Sequence, residues 1–333
     1  MNRRLFLLAF AGLLTLGLFG CSKPADNGGE TTGEPGTTAS TSGEKLRIGV
    51  SIPAGDHGWT GGVVWWAEQM KEEFPNAEII VQTATDGSEQ FNKIETMTTQ
   101  GLDGLVVLSF EPGPVTPAVE KAKKEGVYIV SVDRGLTKPI ADVWMRGDNK
   151  VFGEKAAEFM GEKLGGTGKI ICLQGVICDV NSDRVNGFED TMKAKFPGVQ
   201  IMASEVANWN REEAYKVTQT LLTKYPDVQA IWAADDDMAM GAEQALKEAK
   251  MTNVWLVGGG GMKDVVKRVM DGDAQFPATV TYSPQMIADG IRRCIQDLEA
   301  GKKSGDTQMD EVIPVEIVLP GNAKDYYYPD SIY

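Results

Sequence analysis

The amino-acid sequence predicts an α/β protein made of two doubly wound parallel-sheet lobes joined by a hinge of several segments. Three observations carry this expectation. Short strand-like runs alternate with helical stretches along most of the chain, the pattern of parallel sheets with right-handed crossovers. The alternation restarts near Lys150 without a long polar linker. A length of 333 residues, 42% apolar and 24% charged, suits a two-domain globular chain.

The chain opens with segments outside that fold. Residues 1–20 read as a signal peptide, because Arg3 and Arg4 precede an uncharged run over 5–19 that is too short to cross a membrane comfortably. The run ends in Leu18-Phe19-Gly20-Cys21, which matches a lipoprotein processing box with Cys21 as the lipid acceptor, although Phe19 is bulkier than usual. Arg3-Arg4-Leu5 also looks like a twin-arginine signal, so the export route stays open. Residues 21–44 then form a lipidated cysteine and a flexible tether. They are rich in Gly, Thr and Ser and too poor in apolar surface to offset the entropy of ordering. A lipid, a tether and a globular part in that order predict an extracytoplasmic protein anchored to the cell membrane.

Each element of the first half follows from its pattern. Strands are expected at 46–52, 78–83, 104–109 and 127–132. Helices are expected between them, around Val63, Ala67 and Met70, then Phe91, Ile94 and Met97, then Val115, Val119 and Ala122. A helix over 150–164 opens the second half. Strands at 169–173, 199–205, 228–233 and 254–257 alternate there with helices at 182–195, 211–223 and 238–247. A strand at 279–282, a helix at 285–300 and a strand at 312–318 are expected to cross back between the lobes. The lobes are therefore 45–147 plus 283–311, and 148–282 plus 312–333.

Composition excludes several functions. Lys and Arg total 33 against 47 Asp and Glu, a net charge of −14, so no nucleic-acid partner is expected. A single histidine excludes HExxH and multi-histidine metal sites. Four cysteines are too few for a disulfide scaffold. Cys172 and Cys178 are read as free thiols or a packed Cys172, and Cys294 as helix core.

The segments after the strands hold the candidate site, since doubly wound folds bind ligands at the carboxyl ends of their strands. After the first strand stand Asp56, His57 and Trp59, and after the fourth Asp133 and Arg134. The second half offers Arg184 near a helix start, Trp209 between two asparagines, and Asp235 in a run of three aspartates, one of which is expected to be a helix cap. Tyr282 follows the strand-like Thr279-Val280-Thr281. Indole faces beside carboxylates, amides and guanidinium forks suit a neutral polyhydroxyl ligand, whose C–H faces need aromatic surface and whose hydroxyls need paired donors and acceptors.

These residues resemble the sugar-binding proteins of ATP-driven bacterial importers, in the group similar to ribose-binding protein. The matching stretches are Val132-Asp133-Arg134, Trp209-Asn210-Arg211, Ala234-Asp235-Asp236-Asp237-Met238 and Thr279-Val280-Thr281-Tyr282-Ser283-Pro284. The resemblance implies a type I periplasmic binding protein fold. It implies that Asp133, Arg134 and Arg184 bind sugar hydroxyls and that Trp209 stacks on the ligand. Asp235 stands where the family usually has Asn, Tyr282 where it has Gln, and Asp56, His57 and Trp59 where it has Asn and paired Phe. The family's aromatic and Asp after the strand at 254–257 are replaced by Gly258-Gly259-Gly260-Gly261. The ligand is therefore left as a small sugar, a sugar alcohol or another small polar metabolite. A monomer without cofactor or metal, delivering its ligand to an ABC permease, is implied. A sensory binding protein and a secreted sugar hydrolase with paired carboxylates remain the alternatives.

Overall fold

The computed structural model describes residues 45–55 and 58–333. The signal peptide, Cys21, the tether, Asp56 and His57 lie outside the described residues. In the first lobe, β1 (Arg47–Pro53), β2 (Glu78–Ala84), β3 (Gly104–Val107), β4 (Tyr128–Val132) and β5 (Val143–Gly147) alternate with α1 (Gly58–Glu73), α2 (Gly87–Thr99) and α3 (Pro112–Lys124). The second lobe holds α4 (Asn149–Lys163), β6 (Thr167–Gln174), α5 (Asp179–Lys195), β7 (Gly198–Val206), α6 (Arg211–Lys224), β8 (Ala230–Ala233), α7 (Asp236–Glu248), β9 (Trp255–Val257), α8 (Lys263–Met270) and β10 (Thr279–Val280). The chain then forms α9 (Met286–Glu299), β11 (Met309–Ile313), β12 (Ile317–Val318) and a 3-10 turn (Ala323–Tyr326).

The first sheet runs β11-β5-β4-β3-β1-β2 and the second β7-β6-β8-β9, with the pairs within each parallel. In both, the first strand made sits between the second and the third, which creates a switch point at the carboxyl edge. The apolar strands are buried on both faces. Leu105, Val107 and Ile129 pack on α2 and α3, whereas Val106, Val130 and Val132 face the opposite side with α1 and α9. In the second sheet the Phe188 and Trp232 rings stack 4.0 Å apart and 3° from parallel.

The chain crosses between lobes three times, from β5 to α4, from β10 to α9 and from β11 to β12. Two elements were not anticipated, β5 and α8. The strand expected at 312–318 is two strands divided by Pro314, whose ring removes a backbone donor. Val312 and Ile313 pair with Arg146 and Gly147 in the first sheet, which corrects the lobe boundary drawn at 311/312. β12 pairs antiparallel with β10. Cys172, Cys178 and Cys294 are unbridged, with Cys172 and Cys294 buried.

Candidate functional site

Residues that follow the carboxyl ends of both sheets line one cavity. From the first lobe come Trp59, in the opening turn of α1, and Asp133 and Arg134 directly after β4. From the second come Arg184 on α5, Trp209 after β7, Asp235 after β8 and the Gly259-Gly260 backbone after β9. Tyr282 stands between them in the crossing from β10 to α9. The empty space among these side chains is about 380 Å3 when the open mouth is counted, and only about 30 Å3 as room for water-sized molecules.

The aromatic rings fit because glycines stand behind them. A Cβ on Gly175 would overlap the Trp209 indole, and one on Gly147 would overlap the Tyr282 ring. The backbone is also bent to present these groups. Asp133, Asn208 and Trp209 have φ of 57°, 54° and 53°, left-handed values that are uncommon for non-glycine residues and rarest for bulky ones. Such strain costs on the order of 1–3 kcal/mol per residue and persists only where the surroundings enforce it. Here Asp133 N–H donates to Met145 O at 2.8 Å, Trp144 Nε1 donates to Asp133 O at 3.1 Å, and Asn210 N–H closes the Trp209 turn on Ala207 O at 2.9 Å.

A hydrogen-bond chain crosses the cleft. Tyr282 Oη donates to Asp133 and accepts from Asn149 Nδ2 at 3.3 Å. Asn149 Oδ1 accepts from Arg184 Nε at 2.9 Å, and Arg184 Nη1 donates to Ala234 O at 2.7 Å. The Arg184 guanidinium lies 4.3 Å from the Tyr282 ring centre and 4.2 Å from that of Phe152. Trp59 Nε1 donates to Tyr282 O at 2.8 Å, whereas Trp209 Nε1 is buried with no partner among the described residues. Arg134 donates to Phe110 O at 3.0 Å, and its guanidinium lies 5.9 Å from the Trp209 ring centre.

Three adjacent aspartates do three different things. Asp235 caps α7 by accepting Met238 N–H at 2.8 Å and also lines the cavity, so cap and lining are one residue. Burial, with Asp237 beside it, holds its carboxyl well above the usual range, and a neutral carboxyl can donate as well as accept. Asp236 is buried behind the cavity. It accepts the N–H groups of Gly261 at 3.0 Å and Met262 at 2.9 Å and the Thr279 hydroxyl at 2.8 Å. Burial still pushes it up to about 7. Asp237 pairs with Arg211 at 2.8 Å. Among the described residues no group of three or more His, Cys, Asp or Glu side chains is placed to hold a metal ion.

The structure thus brings Trp59, Asp133, Arg134, Arg184, Trp209, Asp235 and Tyr282 to one cavity. Asp56 and His57 fall outside the described residues. Sequence reasoning missed Tyr333, which also lines the cavity and is 4% exposed. It arrives from the final segment of the chain rather than from a strand end. The only signal for it was the glycine run, read as a loss of side chains rather than as room for another. The cavity offers two indoles, two guanidinium groups, carboxyl groups and an unpartnered indole N–H, which together can hold a neutral molecule bearing several hydroxyls.

The family described as periplasmic binding protein domain matches residues 48–303. Over 268 residues the chain is 30% identical to the xylitol-binding protein of Mycolicibacterium smegmatis, covering 80% of this chain and 72% of that protein. It is 30% identical over 226 residues to the ribose import binding protein of Bacillus subtilis, covering 68% of this chain and 72% of that one. A solved structure of an ABC transporter periplasmic solute binding protein from Actinobacillus succinogenes 130z with bound D-allose superposes with a TM-score of 0.75 at 25% identity, over 85% of this chain and all (100%) of the other.

Proposed function

The chain belongs to the periplasmic binding protein domain family, and on that premise we propose that it is a lipid-anchored extracytoplasmic receptor that captures a small sugar or sugar alcohol between its lobes and delivers it to an ABC permease. The family and the relatives above are described as binding proteins, two of the relatives as binding proteins of import or of an ABC transporter. The observation that carries the ligand class is one cavity lined from both lobes by indoles, guanidinium groups and carboxyl groups. The names of the relatives that bind xylitol, ribose and allose point the same way.

The mechanism is capture by closure. A ligand held by Asp133 and Arg134 in one lobe and by Arg184, Trp209 and Asp235 in the other touches both sets only when the lobes are together, so it shifts the molecule toward the closed form. The closed form is the one a permease can distinguish from the empty receptor. Asp56 and His57 belong to the same proposal through their place in the sequence, between Gly55 and α1.

Calorimetry of the purified protein against pentoses, hexoses and polyols tests the site. Arg134→Ala and Trp209→Ala are expected to weaken binding at least tenfold, with the unfolding temperature close to that of the unaltered protein for Arg134→Ala and lowered by the emptied core site for Trp209→Ala. Unchanged affinity in both variants would overturn the assignment. Deleting the protein is expected to abolish uptake of the ligand so identified, and Cys21→Ala to release it from the membrane fraction. Persistence of uptake argues against delivery to a permease, and persistence of membrane association argues against the lipid anchor.

A further inference from the structure

The glycine run after β9 is not empty space. A Cβ on Gly258 would overlap the Asp236 carboxyl, one on Gly259 the Phe152 ring, and one on Gly260, where φ is 121°, the hydroxyl of Tyr333. Tyr333 reaches this point along a return path over both lobes. The 3-10 turn Ala323–Tyr326 packs Ala323 and Tyr326 against Val266 and Val269 of α8. The Tyr328 ring meets Trp66 of α1 edge-on at 5.9 Å. Lys263 Nζ donates to Ser331 O at 2.5 Å. The Tyr333 ring itself fits against α1 because Gly58 and Gly62 lack side chains: a Cβ at Gly58 would come within 3.0 Å of the ring, and one at Gly62 within 2.8 Å of the tyrosine Cβ. One residue therefore touches α1 of the first lobe and the glycine loop of the second.

The two phenols of the cavity are not alike. Tyr282 Oη is saturated by Asp133 and Asn149. Tyr333 Oη is buried with no partner among the described residues. Burial, with Asp236 and Asp237 nearby, keeps its proton on far above the ordinary phenol range. A buried O–H left unpaired costs roughly 1–3 kcal/mol, a penalty that a ligand hydroxyl would relieve. Trp209 Nε1 is buried and unpaired beside the same cavity.

We propose that Tyr333 determines which ligand fits: it fills the room that Gly260 leaves at the edge of the cavity, and its hydroxyl donates to a hydroxyl of a bound polyol of about four or five carbons. This rests on the reading of the cleft as a polyol site and deepens it. Tyr282 already occupies one carboxylate oxygen of Asp133, and Tyr333 takes the room beside Gly260, so a compact ligand fits what remains.

The test is calorimetry of the purified protein with erythritol, xylitol, ribose and sorbitol, beside Tyr333→Phe and Tyr333→Ala. The unaltered protein is expected to bind a four- or five-carbon compound more tightly than sorbitol. Tyr333→Phe keeps the ring and removes the unpaired hydroxyl, so it is expected to hold or raise the unfolding temperature of the ligand-free protein and to lose about tenfold in affinity, the worth of one buried hydrogen bond. Tyr333→Ala is expected to raise the affinity for sorbitol relative to the best smaller ligand by about tenfold or more. Tyr333→Phe decides the question if the alanine variant fails to fold. If both variants bind with the affinities and order of the unaltered protein, Tyr333 is only packing, and the polyol site stands without it. If the unaltered protein binds none of the four and no other sugar, both readings fall together.

Discussion

Asp236 shows how a single residue can be both well bonded and easily perturbed. Three donors would ordinarily stabilise its anion, yet complete burial outweighs them and lifts its pKa to about 7. In the unfolded chain the same group titrates near 4. Between those values the folded protein holds a proton that the unfolded chain has released. The stability due to the neutral form is therefore present at low pH and declines as pH rises through that window. Asn at this position keeps an acceptor for Gly261 and Met262 and offers Thr279 an N–H donor in place of the present acceptor, without titrating. The unfolding free energy of the protein minus that of Asp236→Asn should fall by up to about 4 kcal/mol between pH 4 and pH 8 in denaturant titrations. A flat difference would show that Asp236 is ionised throughout. The cavity residues were largely legible in the sequence because most follow a strand end, where a doubly wound fold must open its cleft, and Arg184 stands on the helix that starts after one. Tyr333 was not, since nothing local in Asp330-Ser331-Ile332-Tyr333 distinguishes a buried tyrosine from a surface one.

At the scale of elements, the second lobe is held by helices that pack backbone to backbone. A Cβ on Gly153 of α4 would overlap the Arg184 carbonyl of α5, and one on Gly187 of α5 would overlap the Lys150 carbonyl of α4. Gly241 of α7 has the same relation to the Arg211 carbonyl of α6. The α4–α5 contact sets where Arg184 stands, so packing and ligand recognition are coupled there. Gly153→Ala should cost about 1–3 kcal/mol of stability through overpacking and should also weaken ligand binding as α5 shifts, whereas Gly113→Ala, with open space around it, should do neither. Thermal unfolding with calorimetry separates these outcomes. The long elements were legible because their apolar period matched their secondary structure. β5 was not: its buried residues alternate with half-buried Trp144 and Arg146, and it supports a bend over Asp133 rather than an apolar run. α8, with eight residues, offers only Val265, Val266 and Val269 as buried signal.

At the scale of the molecule, the three crossings make the lobes separate bodies that share a cleft, so a bound ligand stabilises their joined form as well as the fold. At a concentration one hundred times its dissociation constant, a ligand should add about 2.7 kcal/mol. For a chain of this size that corresponds to a rise of roughly 4–5 °C in unfolding temperature. A sugar that binds by calorimetry yet leaves the unfolding temperature unmoved would be binding the unfolded chain as well as the folded one, which would overturn a site built by the fold. The same crossings leave each lobe discontinuous in sequence. The first sheet is complete only when β11 docks on β5, a junction marked by the Arg146–Asp310 ion pair across 164 residues of chain. Closing so long a loop is slow, because its entropy is lost before the contact rewards it. On a ribosome, the edge strand of the first lobe emerges after nearly everything else. Both lobes are therefore completed by the last segments of the chain, and the segments that join the lobes are the same ones that finish them.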